Sequence, residues 1–301
     1  MKDPDEMAGE FTRLVDDLSY AKTFYPSSRV TAYVNSLAAR IYLNIYRNRK
    51  EDSNRLVQFW KYDVPLTVGR HHGAILFVFF LFVLFFSVGF FSAANDQLFV
   101  REMLGEAYVE KTEQNIRDGN PFGVYASGSS FFMWIWIMIN NIMVAFTYFF
   151  RGILLGIPSM SALIREAVRI GAFEQLFFAR GLGLQSVLTV LIHGLLELTA
   201  IIITCAAGLV MGKSVLFPGT HRRLHAFAQG AKDGVKIVIG LVPVFMVAAF
   251  FEGFVTRHYK MHYVFSLAIL GSAAAFIIWY FILYPLELQR NLKEQQQPVH
   301  A

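Results

Sequence analysis

Residues 73–93 are almost entirely Phe, Leu, Val and Ile, and none of them is charged. A helix of that length crosses the hydrocarbon core of a bilayer, which is roughly 30 Å thick. In hydrocarbon every backbone donor and acceptor must be bonded internally, so only helices and closed barrels can span it. The in–out alternation of a barrel strand is absent from this run. Comparable apolar stretches cover residues 131–157, 187–211, 235–255 and 264–284. With 55% hydrophobic residues and 30 Phe among 301, a soluble fold of this length has no interior large enough to hide them. The fold class is therefore read as all-α: a polytopic integral membrane protein.

Ahead of the first span, residues 1–72 read as a cytoplasmic helical head. Phe11, Leu14, Val15 and Leu18 recur at helical spacing, Tyr25-Pro26 breaks the chain, and Ser27 or Ser28 can cap a second helix bearing Val34, Leu37, Ile41 and Ile45. Arg47, Arg49 and Lys50 close that helix. A third amphipathic piece follows with Leu56, Phe59 and Trp60, and Trp60, Lys61 and Tyr62 suit the membrane interface. Met1 to Glu10 is acidic and polar, unlike a cleavable signal peptide, so the first span is expected to act as the insertion signal. Residues 287–301 form a polar tail.

Charge sets the expected topology. Residues 95–130 carry Asp96, Glu102, Glu106, Glu110, Glu113 and Asp118 against Arg101, Lys111 and Arg117, which suits an extracytoplasmic loop. Turn signals at Gly119, Asn120, Pro121 and Gly123 end it. Residues 158–179 are ambiguous, because Arg165, Glu166, Arg169 and Glu174 each cost roughly 2.5–3.5 kcal/mol at a helix centre. If this stretch stays out, the basic loop 212–234 and nearby Lys236 fall outside the cell; if it crosses, that loop and both termini are cytoplasmic. The second arrangement obeys the positive-inside rule and gives about six spans in a bacterial inner membrane. The net charge of +5 follows from this topology, and no nucleic-acid partner is expected.

The domain of residues 73–286 then holds polar groups that lipid would not tolerate: Asn140, Asn141, Arg151, Arg165, Glu166, Arg169, Glu174, His193, Glu197 and Glu252. Thr189, His193 and Glu197 step by four along one helix face. Gly152 with Gly156, and Gly208 with Gly212, have GxxxG spacing, and Gly194 thins the same helix as the second pair. These packing glycines favour a homo-oligomer, a dimer first, although contact within one chain has the same signature. The polar set has three readings: a structural network, a path for an ion or substrate, or a metal or catalytic centre on His193, Glu197 and Glu252. The last has little motif support, since HExxH, CxxC, a phosphate loop and a nucleophile elbow are all missing. No enzyme activity and no cofactor are expected. The single Cys205 cannot form an internal disulfide.

Three segments carry a resemblance. Asn140-Asn141-Ile142 with Val144-Ala145-Phe146 and the run from Gly152 to Gly156 form the first. His193-Gly194-Leu195-Leu196-Glu197-Leu198, then Ala200-Ile201 and Ala206-Ala207-Gly208-Leu209, form the second; Glu252-Gly253-Phe254-Val255-Thr256 is the third. Their order and spacing resemble the stage II sporulation protein M family, and Asp16-Asp17-Leu18-Ser19-Tyr20 is similar to the head of its members from non-sporulating bacteria. The resemblance implies an inner-membrane protein of several helices, and in spore formers an anchor for cell-wall hydrolases. It points to a scaffold that recruits envelope or regulatory partners, with a channel or transporter past His193, Glu197 and Glu252 as the alternative. Arg165, Glu166, Arg169 and Glu174 depart from the family pattern.

Overall fold

The computed structural model describes residues 4–47, 54–122, 130–220, 222–256 and 262–296. Among these the chain is helix and turn throughout, with no strand. Arg49, Lys50 and Gly123, read above as flank and turn residues, lie outside the described residues, as does the end of the tail.

Two compact units divide between Val57 and Gln58, so residues 58–72, expected in the head, fold with the membrane-type unit. The first unit is a helical pair, α1 (Pro4–Phe24) and α2 (Arg29–Arg47). Its turn is tied by Thr31, whose hydroxyl donates to the Tyr25 carbonyl at 2.7 Å, and by Ser28 Oγ, which accepts from Val30 N at 3.1 Å. Leu18 and Ala38 are buried between the helices, and Phe11 meets Tyr42.

The division falls within α3 (Arg55–Gln58), and the second unit continues with a π-helical turn (Phe59–Asp63) and α4 (Val64–Arg70). A long apolar helix, α5 (His72–Asn95), leads to α6 (Gln97–Leu104) and α7 (Glu106–Arg117), so the acidic segment predicted as a loop is largely helical. Then come α8 (Ser130–Arg151), α9 (Ile157–Phe178), α10 (Gly183–Leu216) and α11 (Arg223–Phe250). A π turn (Phe251–Val255) ends α11; α12 (Tyr263–Ile278), a π turn (Trp279–Leu283) and α13 (Tyr284–Gln296) complete the unit.

Five helical stretches are long and apolar enough to cross a membrane: His72–Asn95, Ser130–Arg151, Gly183–Leu216, Arg223–Val255 and Tyr263–Glu294. α10 is the core of the unit, buried from Ala200 to Gly208, and packs chiefly on α11. Leu76, Phe80, Leu84 and Phe91 of α5 and Phe132, Trp136 and Met143 of α8 are exposed, as suits faces that meet lipid. α9 matches α8 in length, 22 residues each, but carries the charges of the ambiguous stretch. It packs along α5, with Gly171 against the backbone of Phe86 and Phe90. Its two ends meet opposite ends of α10: Gly156 lies on Leu209, and Glu174 stands beside Ser186.

Two expectations change. The second span ends at Arg151, and Gly152 to Gly156 form a tight turn, not a helical GxxxG face. Leu155 and Gly156 have φ of 57° and 80°, so the helix cannot continue through them. The basic loop 212–234 shrinks to the connection between Leu216 and Arg223, because α11 begins early and carries Lys232 and Lys236 on helix.

The π turns expose backbone carbonyls, and tyrosines meet two of them. Tyr280 donates to the Trp60 carbonyl at 2.7 Å and Tyr284 to the Lys61 carbonyl at 3.0 Å. Trp60 Nε1 in turn donates to Gly240 O at 3.2 Å. At the same end, Asp233 of α11 is nearly buried and accepts from Arg70 at 3.5 Å and pairs with His71 Nε2 at 3.2 Å.

Candidate functional site

α10 has 34 residues, about 51 Å at 1.5 Å per residue, and His193 lies roughly 15 Å from its start. Four-residue spacing puts Glu197 one turn further on the same face. Opposite them, the π turn that ends α11 brings in Glu252; one extra residue per turn re-aims a side chain, and such turns occur often at functional sites. A ring nitrogen of His193 and one carboxylate oxygen each from Glu197 and Glu252 lie within 4.8 Å of one another. His193 is buried, while the two glutamates are half-buried.

These residues form one wall of a partly open cavity of about 390 Å³, whose other lining includes Tyr108, Glu166 and Arg169. Glu166 and Arg169 form an ion pair in which the one nitrogen Nη2 donates to both carboxylate oxygens, at 2.7 Å each. The cavity thus joins α7, α9, α10 and the end of α11. Beyond Ile201 the interior closes: Ile202, Ile203, Cys205, Ala206 and Ala207 are all buried.

Thr256 fixes the imidazole. Its Oγ1 lies 3.0 Å from His193 Nδ1 and donates to the Phe251 carbonyl at 3.2 Å. A hydroxyl has one proton, so with that proton on Phe251 O its oxygen accepts from Nδ1–H. Thr256 stood inside a recognised motif, but sequence gave it no role, because the π turn that points it at His193 has no sequence signature. Tyr108 carries no sequence signal either, because the acidic composition around it resembles a loop while the chain there is helical.

Five members of the predicted polar set meet here: Glu166, Arg169, His193, Glu197 and Glu252. Asn141 is buried beside Glu197, with its Nδ2 in hydrogen-bond geometry with no described group. Asn140 is exposed and donates to Asn141 Oδ1 at 3.3 Å. The others are elsewhere. Arg165 points outward, Arg151 lies over the Tyr148 ring at the end of α8, and Glu174 is buried near Ser186. Thr189 is buried and does not line the cavity.

The packing glycines are used within the chain. Gly208 and Gly212 receive the Gly152–Gly156 turn so closely that a Cβ at Gly212 would strike the backbone of Leu155 and Gly156. Gly194 is not a packing glycine: it borders the cavity, and a Cβ there would meet only Val190 at 3.6 Å. The glycine faces that suggested a dimer are therefore already covered.

Fold and site together define an all-helical, membrane-type protein with an ionisable cavity inside its bundle. Residues 78–257 match the Stage II sporulation protein M family, and the chain belongs to it. Residues 1–47 separately match a domain of unknown function (DUF8413). No curated protein matches the chain, and no solved structure does.

Proposed function

We propose that the protein is a six-span, non-enzymatic scaffold of a bacterial inner membrane, with both termini cytoplasmic, that recruits envelope or regulatory partners through its head. The observation that carries this reading is the independence of the head. It is a compact unit with its own family match, and it exposes Tyr20, Phe24, Tyr25, Val30 and Tyr33. A helical pair of this size has too little core to be stable unaided and gains by docking. The sixth crossing is α9. It runs the depth of α10 from Leu209 to Ser186, and crossing leaves Lys213, Arg222 and Arg223 on the cytoplasmic side.

Two experiments test these parts separately. Thr220→Cys lies in the exposed connection after α10 and Gln114→Cys is exposed on α7. In intact cells a membrane-impermeant maleimide should label Gln114→Cys and spare Thr220→Cys; labelling of Thr220→Cys removes the sixth crossing. For the scaffold, Tyr20→Ser with Tyr33→Ser should abolish partners cross-linked in native membranes while leaving insertion and stability intact. An unchanged partner set refutes the role of the head.

A conduit is the second reading, favoured by the cavity at His193, Glu197 and Glu252. The buried stretch of α10 beyond Ile201 opposes it, and ion flux through reconstituted liposomes decides between the two.

A further inference from the structure

We propose that His193, Glu197 and Glu252 bind a divalent first-row transition ion in the cavity between α9 and α10, a site that stands whether or not the head recruits partners. The ligand set is one imidazole and two carboxylates from two helices, with one donor atom from each already within 4.8 Å of the other two. Donors bound at about 2.1 Å sit roughly 3–4 Å apart around an ion, so shifts on the order of 1 Å complete the coordination. Glu197 and Glu252 are half-buried and long enough to make them. Three protein ligands leave at least one position for water or a cavity occupant.

Two further features suit a ligand. Thr256 holds Nδ1 and Phe251 O holds the Thr256 proton, the outer-sphere arrangement that orients a metal-binding histidine. The Asn141 amide is nine-tenths buried beside Glu197 and is placed to brace that carboxylate when an ion draws on it. Charge points the same way. Two carboxylates this close repel in a low-dielectric setting, and a shared cation removes the repulsion. Imidazole in the set selects a transition ion over Mg²⁺ or Ca²⁺, which take oxygen ligands throughout.

The test uses the full chain in nanodiscs, stripped with chelator and titrated calorimetrically with Zn²⁺ or Mn²⁺ alone, with the bound metal counted by elemental analysis. About one ion per chain should bind, at least ~100-fold tighter than Mg²⁺ or Ca²⁺. Glu197→Gln and Glu252→Gln should each weaken binding by at least ~10-fold, and Thr256→Val by roughly 10-fold through the imidazole it orients. Should His193→Ala fail to insert, Glu252→Gln decides, because its isosteric change at a half-buried position leaves packing intact. Failure of folded wild-type protein to bind either ion overturns the site. So does equal affinity for Mg²⁺, or binding that survives Glu197→Gln combined with Glu252→Gln.

Discussion

Backbone meets backbone where α5 crosses α9, and one methyl group tests that contact. A Cβ on Gly171 would lie against the Phe86 carbonyl oxygen, 2.7 Å from Phe90 N and 3.2 Å from Gly89 C. Backbone atoms cannot rotate away as a side chain can. To restore ordinary separations near 3.5 Å, the helices must part by roughly 1 Å. Overpacking of this kind costs about 1–3 kcal/mol, set against up to ~1 kcal/mol gained from the better helix propensity of alanine. The rigid neighbours put Gly171→Ala near the upper end, for a net loss of about 2 kcal/mol. Gly271→Ala in α12 is the matched control: nothing lies within 4 Å of its Cβ, so only the propensity gain remains. Reversible SDS unfolding in mixed micelles, followed by far-UV circular dichroism, should separate the two variants by about 2–3 kcal/mol. Equal stabilities would mean that α9 does not run along α5, and the proposed membrane crossing of α9 would fall with that contact.

Three further outcomes follow from single contacts. Tyr280→Phe removes the donor to the Trp60 carbonyl and should cost about 1 kcal/mol in the same unfolding assay, whereas exposed Tyr263→Phe should cost nothing measurable. Cys205 is fully buried, so a membrane-permeant maleimide should modify it only after denaturation, as mass spectrometry would read. Arg180→Ala breaks a surface pair with Glu113 and should change stability by under ~1 kcal/mol in that unfolding assay.

What could be read from sequence was whatever periodicity and charge determine alone. The run at 73–93 became α5 almost residue for residue, because an uncharged apolar stretch has one good solution in lipid. His193 and Glu197 were placed on one face because four residues make about one helical turn. Glu252 could be named but not aimed: its direction depends on a π turn, and the sequence does not announce an extra residue in a helix. The GxxxG pair at Gly152 and Gly156 misled because glycine serves equally for close helix contact and for positive φ; Gly156, at 80°, uses the second property. The acidic segment looked like loop because its helices, α6 and α7, are short and surface-charged, which leaves composition more visible than periodicity.

The charges on α9 seemed to bar it from a membrane, and their pairing changes that account. Insertion costs near 3 kcal/mol refer to isolated charges, while Arg169 Nη2 donates to both Glu166 carboxylate oxygens at 2.7 Å within a polar cavity. The strength of that bond reports its surroundings. On a helix bathed in water an i,i+3 pair is worth about 0.2–0.5 kcal/mol. In a low-dielectric bundle, removing one partner of a buried pair costs about 3–5 kcal/mol, because the other is left uncompensated. Here the Glu166 side chain is only 20% exposed but that of Arg169 is 57% exposed, which places the coupling between these limits, near 1–2 kcal/mol. A double-mutant cycle of Glu166→Leu and Arg169→Leu, read by SDS unfolding, measures it directly. Either single change should destabilise more than both together, since the pair of leucines leaves no orphaned charge. A coupling under about 0.5 kcal/mol would put the pair in water and refute the proposed crossing of α9.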